Sequence, residues 1–220
     1  MILTVVNQKG GVGKTTVAVN LAYLSSKTKK TALIDLDPEG GATISFGMRR
    51  NIREIPFLSF SVNLFGIDIF PSNISLIKLE VSGNIEDITR SLQEVSKEYE
   101  VVIIDTPPNF GKLSVSGMIV ADKILAPVTP HPLVIEASKN LDYRLYTLKK
   151  KAISLTNMSR KPIEIKLQNI QFLSICIPSS KLFIEASKLG VPALRYEEVK
   201  MRVHKLRNIF EELLKVITNE

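Results

Sequence analysis

The chain of 220 residues has one cysteine, Cys176, no tryptophan, only 6% aromatic residues and two histidines, His131 and His204. A lone thiol excludes an internal disulfide and a cysteine-built iron–sulfur or zinc cage within one chain. It also fits a reducing, cytosolic setting. Scarce aromatics argue against stacking platforms for single-stranded nucleic acid. The histidines are far apart with no acidic or cysteine cluster at ligand spacing, so each reads as a surface or helix-cap residue. Cys176 sits in an apolar run and reads as a buried, unreactive thiol. No apolar stretch approaches the ~18 residues of a membrane span, and the first residues lack a signal-peptide layout. Apolar residues nevertheless make up 45% of the chain and charged residues 23%, enough for a globular core and too much order for a disordered or fibrous chain.

A net imbalance of charge is also missing from most of the chain. Residues 1–138 hold 13 basic against 14 acidic side chains, whereas residues 139–220 hold 16 against 8. The overall net charge of +7 therefore resides in the last third. Such asymmetry points to a polyanionic partner, duplex DNA ahead of RNA or an anionic membrane. A solvated basic face would leave the same trace.

Apolar runs alternate with helical periodicities. Ile2–Val6, Thr31–Asp35, Ile67–Phe70, Val101–Asp105, Lys123–Val128 and Ile170–Ile177 read as strands. Lys14 to about Ser26, Asn84–Glu98, Leu133–Lys150, Ser180–Leu189 and Val203–Ile217 read as helices. Residues Lys151–Lys166 look like a basic connector or edge element. Strands apolar on both faces and separated by helices predict a single doubly wound α/β domain over 1–220, its mostly parallel sheet covered on both sides.

The segment Lys9-Gly10-Gly11-Val12-Gly13-Lys14-Thr15-Thr16 follows the first strand and opens the first helix. In that context glycines let backbone N–H groups curl around phosphates at a helix N-terminus. Lys14 can reach β- and γ-phosphates, the Thr15 hydroxyl a Mg²⁺ ion, and Thr16 the α-phosphate. Asp35 and Asp37 end the second strand one residue apart, above the strand ends where open α/β sheets bind ligands. Four aliphatic residues then deliver Asp105 to the same edge, a Walker B arrangement for holding Mg²⁺ through water.

The glycine loop resembles the deviant Walker A loop, Lys-Gly-Gly-x-Gly-Lys-[Ser/Thr], of the ParA/MinD family of ATPases. Asp35-Leu36-Asp37-Pro38-Glu39-Gly40-Gly41 is similar to that family's Asp-x-Asp-Pro-Gln-Gly-Asn. Ala126–Pro130, the Ile177-Pro178-Ser179 segment and Gly190-Val191-Pro192 extend the likeness over nearly the whole chain, and the Glu-Gly-Gly variant is similar to the archaeal SegA branch. The resemblance implies an ATP-sandwich homodimer in which Lys9 reaches the partner's phosphates, Asp37 positions the attacking water and Asp35 supports the Mg²⁺ shell. It implies that Asn109–Gly117 is a nucleotide-sensing switch and that Ile177 and Pro178 border the adenine. Glu39 and Gly41 replace the usual Gln and Asn beside the reacting water, which leaves the hydrolysis rate open.

Three functions fit that family. A DNA-partitioning ATPase, segregating chromosome or plasmid, would bind non-specific double-stranded DNA through Lys149, Lys150, Lys151, Arg195, Lys200, Arg202, Lys205 and Arg207. It would hydrolyse ATP under the control of a ParB/SegB-like partner, in the cytoplasm on the nucleoid, away from membrane. A MinD-like membrane-cycling ATPase is the alternative, although Glu211, Glu212 and Glu220 would repel an anionic bilayer from the last helix. A nitrogenase-iron-protein-like reductase fails on cysteine count, and no substrate motif points to a ligase.

Overall fold

Four apolar runs without a polar face become the centre of the structure. The computed structural model describes residues 1–49, 54–200 and 203–219. Its first half runs β1 (Ile2–Val5), α1 (Lys14–Ser25), β2 (Thr31–Asp35), α2 (Gly41–Ser45), β3 (Val62–Leu64), β4 (Ile67–Phe70), α3 (Ser75–Ser82), α4 (Ile85–Ser96) and β5 (Val101–Asp105). It continues with α5 (Lys112–Val120), β6 (Lys123–Val128), α6 (Pro132–Leu148), β7 (Ala152–Asn157), β8 (Ile170–Ile177), α7 (Lys181–Lys188), α8 (Ala193–Lys200) and α9 (Lys205–Thr218).

Among the described residues the strands form one sheet in the order β3-β4-β2-β5-β1-β6-β7-β8. Every pairing is parallel except β3 with β4. Side chains alternate between two cores, as the pleat requires. Leu3, Val5, Leu33, Ile103, Leu125 and Leu155 face α1 and α9. Ala32, Ile34, Val102 and Ile104 face α3, α4 and α5. The doubly wound, mostly parallel α/β architecture is therefore as the sequence implies.

The reading of 151–166 as a connector or edge is corrected in its first half. Residues 152–157 are an interior strand, β7, paired on both sides. Its polar positions are satisfied inside the sheet: Ser154 Oγ donates to the Ala126 carbonyl at 2.7 Å, and Thr156 Oγ1 accepts from Ile163 N at 2.9 Å. Short elements without a strong period also go unannounced by the sequence, namely α2, β3, α3 and α8. Helix ends follow local chemistry. Asn84 caps α4 by accepting from Glu86 N at 2.7 Å, and His131 caps α6 by accepting from Leu133 N at 3.2 Å. Cys176 is half-exposed rather than buried, and partial desolvation raises its thiol pKa.

The last helix packs on the sheet as its stripe implies, with Leu206, Phe210, Leu213 and Ile217 fully enclosed. Its N-terminus is capped from α8: buried Glu197 accepts Leu206 N and Arg207 N, each at 2.9 Å. A carboxylate there meets two otherwise unpaired N–H groups and the positive end of the helix dipole. Asn20 in α1 accepts Leu194 N at 2.9 Å, and the Tyr23 hydroxyl donates to Glu198 at 2.6 Å, so α1 grips α8 directly. We expect Glu197→Ala to lower unfolding free energy by about 2 kcal/mol, because it strands both N–H groups in a dry site. Urea denaturation measures the loss; an unchanged midpoint would show the cap to be dispensable.

Candidate functional site

Strand register creates the site. Asp105 pairs across from Asp35 in β2 and from Val5 in β1, so two carboxylates and the glycine loop emerge at one sheet edge. Adjacent strands lie about 4.8 Å apart. The loop's geometry is set by glycine at Gly13, whose φ of 90° suits no other residue and where a Cβ would strike Asn157 Nδ2. Asn157 ends β7 and donates to the Val12 carbonyl at 2.7 Å. Asn7 fixes the loop's other end, its Oδ1 accepting Lys9 N at 2.9 Å and its Nδ2 donating to the Pro127 carbonyl at 2.8 Å.

Each expected loop residue has a definite place. Lys9, Gly10 and Gly11 are exposed, with Gly10 beside Pro108. The Val12 side chain belongs to a small core with Val128 and Val134. Lys14 is buried, 7% exposed, and its ammonium donates to the Lys9 carbonyl at 3.3 Å. Burial lowers its pKa, against the raising effect of Asp105 and Asp37. Thr15 Oγ1 donates to Asp105 Oδ2 at 2.7 Å. Gly41, where the resembling family has Asn, lets α2 approach so closely that a Cβ would stand 3.1 Å from Thr15 Oγ1.

Three carboxylates share this edge. Asp105 is fully buried, and its Oδ1 has no hydrogen-bond partner among the described residues. Burial, then the charge of Asp35, pushes its pKa up to about 8. Asp35 accepts from Thr43 N at 2.8 Å, Thr43 Oγ1 at 2.7 Å and Asp37 N at 3.1 Å. Burial still outweighs these bonds and raises Asp35 to about 6. Asp37, 9% exposed, accepts Glu39 N at 2.9 Å.

The donor set suits a hard cation. It offers one hydroxyl and carboxylate oxygens, including an orphaned one. Among the described residues no three His, Cys, Asp or Glu side chains are gathered to hold an ion unaided. The hydroxyl and carboxylate oxygens could serve a Mg²⁺ ion that also takes phosphate oxygens.

Beside the loop lies a cavity of about 510 Å³ lined by Thr16, Asn157, Met158, Pro178, Phe183 and Ile184. Pro178 lines this cavity, whereas the Ile177 side chain turns away into the core. Asn7, Thr43, Ser72 and Asn157 escape sequence reading. Only the polar residues flanking each loop hint at them.

The basic residues are dispersed. Lys149, Lys150 and Lys151 line a separate cavity of about 600 Å³ with Lys123 at the starts of β6, β7 and β8, the sheet edge opposite the loop. Lys150 is half-buried and donates to the Ala121 carbonyl at 2.8 Å. Arg207 is held by Glu211 at 2.7 Å and Glu198 at 2.9 Å, and Arg195 approaches Glu198 at 3.5 Å. Lys200 and Lys205 are exposed, and Arg202 lies outside the described residues.

Raised carboxylate pKa values dictate a pH dependence for the ligand-free protein. An acid titrating near 3.8 when unfolded and near 8 when folded contributes most below pH 3.8 and is progressively unfavourable up to pH 8. Stability should therefore fall from pH 6 to 8 with a slope approaching about 1.4 kcal/mol per pH unit. Asp105→Asn should remove that slope and exceed the parent in stability at pH 8. Thermal melts across pH without nucleotide or divalent cation decide it: a parent curve that is flat or rising there refutes the argument.

Comparisons with known proteins bear on the family and the fold. A family model described as an AAA domain matches residues 1–159. The chain is 28% identical over 230 positions to the chromosome partitioning protein ParA of Myxococcus xanthus, covering 89% of this chain and 81% of that one. It is 35% identical over 144 positions to the chromosome-partitioning ATPase Soj of Treponema pallidum, covering 57% of this chain and 56% of that one. Among solved structures it superposes on a Cyanothece McdA variant in complex with ATP, with TM-score 0.77, 18% identity and coverage of 99% and 96%. It superposes similarly on MinD from Pyrococcus horikoshii in complex with Mg-ADP, with TM-score 0.76, 16% identity and coverage of 98% and 96%. At these identities the structural likeness establishes the fold.

Proposed function

The chain belongs to the AAA domain family, in its ParA/MinD superfamily of P-loop ATPases, and on that premise we propose that it is an ATP-driven DNA-partitioning ATPase. One observation carries the proposal: Lys14, Thr15, Asp35, Asp37 and Asp105 converge on one sheet edge around a buried carboxylate oxygen with no partner. Loop N–H groups and Lys14 bind the phosphates. Thr15, Asp105 and Asp35 would hold Mg²⁺, which when bound neutralises phosphate charge. Asp37 orients the attacking water. The adenine occupies the cavity bordered by Thr16 and Pro178. Lys9, exposed on the loop, reaches the phosphates of a second copy, so ATP closes a homodimer. The whole of 1–220 acts as one such domain, under control of a ParB/SegB-like partner on the nucleoid.

Phosphate binding and water orientation separate by mutation. Lys14→Ala should abolish binding of a fluorescent ATP analogue, since the phosphates lose their local cation. Asp37→Ala should retain binding and lose hydrolysis by about 100-fold or more. Parental affinity in Lys14→Ala, or parental turnover in Asp37→Ala, contradicts the assigned roles.

DNA is favoured over a membrane because the apolar stripe of α9 is already buried on the sheet. Among the described residues no helix is long and apolar enough to cross a bilayer. The paired state of Arg207 removes it as a phosphate contact and shifts that role to exposed lysines, Lys149 and Lys151 foremost, with Lys200 and Lys205 exposed elsewhere. Each contact with duplex phosphate contributes about −0.9 to the slope of log K against log salt. Lys149→Ala/Lys151→Ala should flatten that slope by as much as ~2 units for every DNA sequence alike, whereas Arg207→Ala should leave it unchanged. Fluorescence anisotropy over a salt series reads both; an unaltered slope in the double variant removes this edge as the DNA surface.

A further inference from the structure

A closed ring of hydrogen bonds encloses the two strand-end aspartates, and one member, Ser72, comes from a different part of the fold. Ser72 follows β4 and is fully buried, as is Thr43 in α2. Ser72 N donates to Thr43 Oγ1 at 2.8 Å, which donates in turn to Asp35 Oδ2 at 2.7 Å. Asp35 Oδ1 accepts Asp37 N at 3.1 Å, and the Asp37 carbonyl accepts from Ser72 Oγ at 2.6 Å. Every hydroxyl proton in the ring has one acceptor, so the donor directions are mutually consistent and uniquely set.

The ring's effect falls on Asp37. Its carbonyl also accepts Gly40 N at 2.8 Å, closing the turn that aims its side chain, and its Oδ1 accepts Glu39 N at 2.9 Å. Those two bonds are local to residues 37–40 and would move with the turn. The Ser72 hydroxyl ties the turn to β4, which is itself paired in register with β2. It therefore holds Asp37 against the rigid sheet rather than against its own loop. We propose that Ser72 is a positioning residue for Asp37, setting the rate of ATP hydrolysis without contributing to nucleotide affinity. This rests on the assignment of Asp37 as the water-orienting residue.

Ser72→Ala is a clean probe because it strands no buried group: Ser72 N keeps Thr43, and the Asp37 carbonyl keeps Gly40 N. The test compares ATP turnover, affinity for a fluorescent ATP analogue and melting temperature in Ser72→Ala, Ser72→Thr, Asp37→Ala and the Ser72→Ala/Asp37→Ala pair. Ser72→Ala should lose about 10-fold in kcat, with affinity within about twofold of the parent. Ser72→Thr, which keeps the hydroxyl, should recover most of the rate. Adding Ser72→Ala to Asp37→Ala should cost nothing more under single-turnover conditions, since a residue acting through Asp37 has nothing left to position. Parental kcat in Ser72→Ala overturns the proposal, as does a parallel loss of affinity, an additive loss in the double variant, or an equal loss in a folded Ser72→Thr. If Asp37→Ala itself turns over at the parental rate, the assignment of Asp37 fails. If Asp37→Ala is inert and Ser72→Ala is normal, this inference alone fails.

Discussion

Parallel pairing of β2 with β5 sets Asp35 beside Asp105 at a dry sheet edge, and most of the site answers to that crowding. Two neighbouring carboxylates out of water cannot both ionise cheaply. Thr43 and the Asp37 amide relieve Asp35, and Thr15 relieves one oxygen of Asp105. The remaining Asp105 oxygen goes unserved. Lys14 is the local cation, itself held at the cost of burial. Such an arrangement is stressed when empty and relaxed by a ligand that brings counter-charge, so ligand binding and stability are linked. The glycine turn exists to let that ligand approach the backbone, and Asn157 blocks any side chain at Gly13.

This constraint also explains which features are legible in the sequence. β1, β2, β5 and β6 are buried on both faces and contain long aliphatic runs, so their existence follows from composition, as do the aspartates that end β2 and β5. The phosphate-loop motif is local, and its chemistry survives without tertiary information. β7 has the same position in the sheet but hides Ser154 and Thr156, whose partners are far away in sequence. Polar letters after three lysines therefore look like a connector. Thr43 and Ser72 fail for the same reason. Each is an ordinary hydroxyl residue until the fold brings it to an aspartate.

The basic third shows the converse error. Counting charges treats Arg207 as a free cation, yet helix packing brings Glu198, nine residues earlier in the chain, onto it, and Glu211 meets it one turn along the same helix. A partly buried arginine shared by two carboxylates stabilises the α8–α9 corner rather than presenting charge to solvent. Glu198 also accepts the Tyr23 hydroxyl, and after burial this carboxylate is what raises the Tyr23 pKa; it lies within reach of Lys27 as well. The helix that begins at the phosphate loop is thus bonded to α8, whose basic and acidic side chains balance.

The position of the exposed lysines bears on how nucleotide could control DNA. Lys149 and Lys151 lie where β7 begins, whereas the phosphate loop follows the end of β1. Parallel strands of about six residues separate those edges by roughly 20 Å, two Debye lengths at physiological salt. Direct electrostatic influence of ATP charge on that surface is therefore small. Coupling in the proposed function has to pass through geometry. A nucleotide-closed dimer would fix two copies of each lysine cluster in one body, and the second cluster would then bind at high effective concentration. Two weak, salt-sensitive surfaces would become one strong one without any new contact, and opening of the dimer after hydrolysis would return each to its weak state.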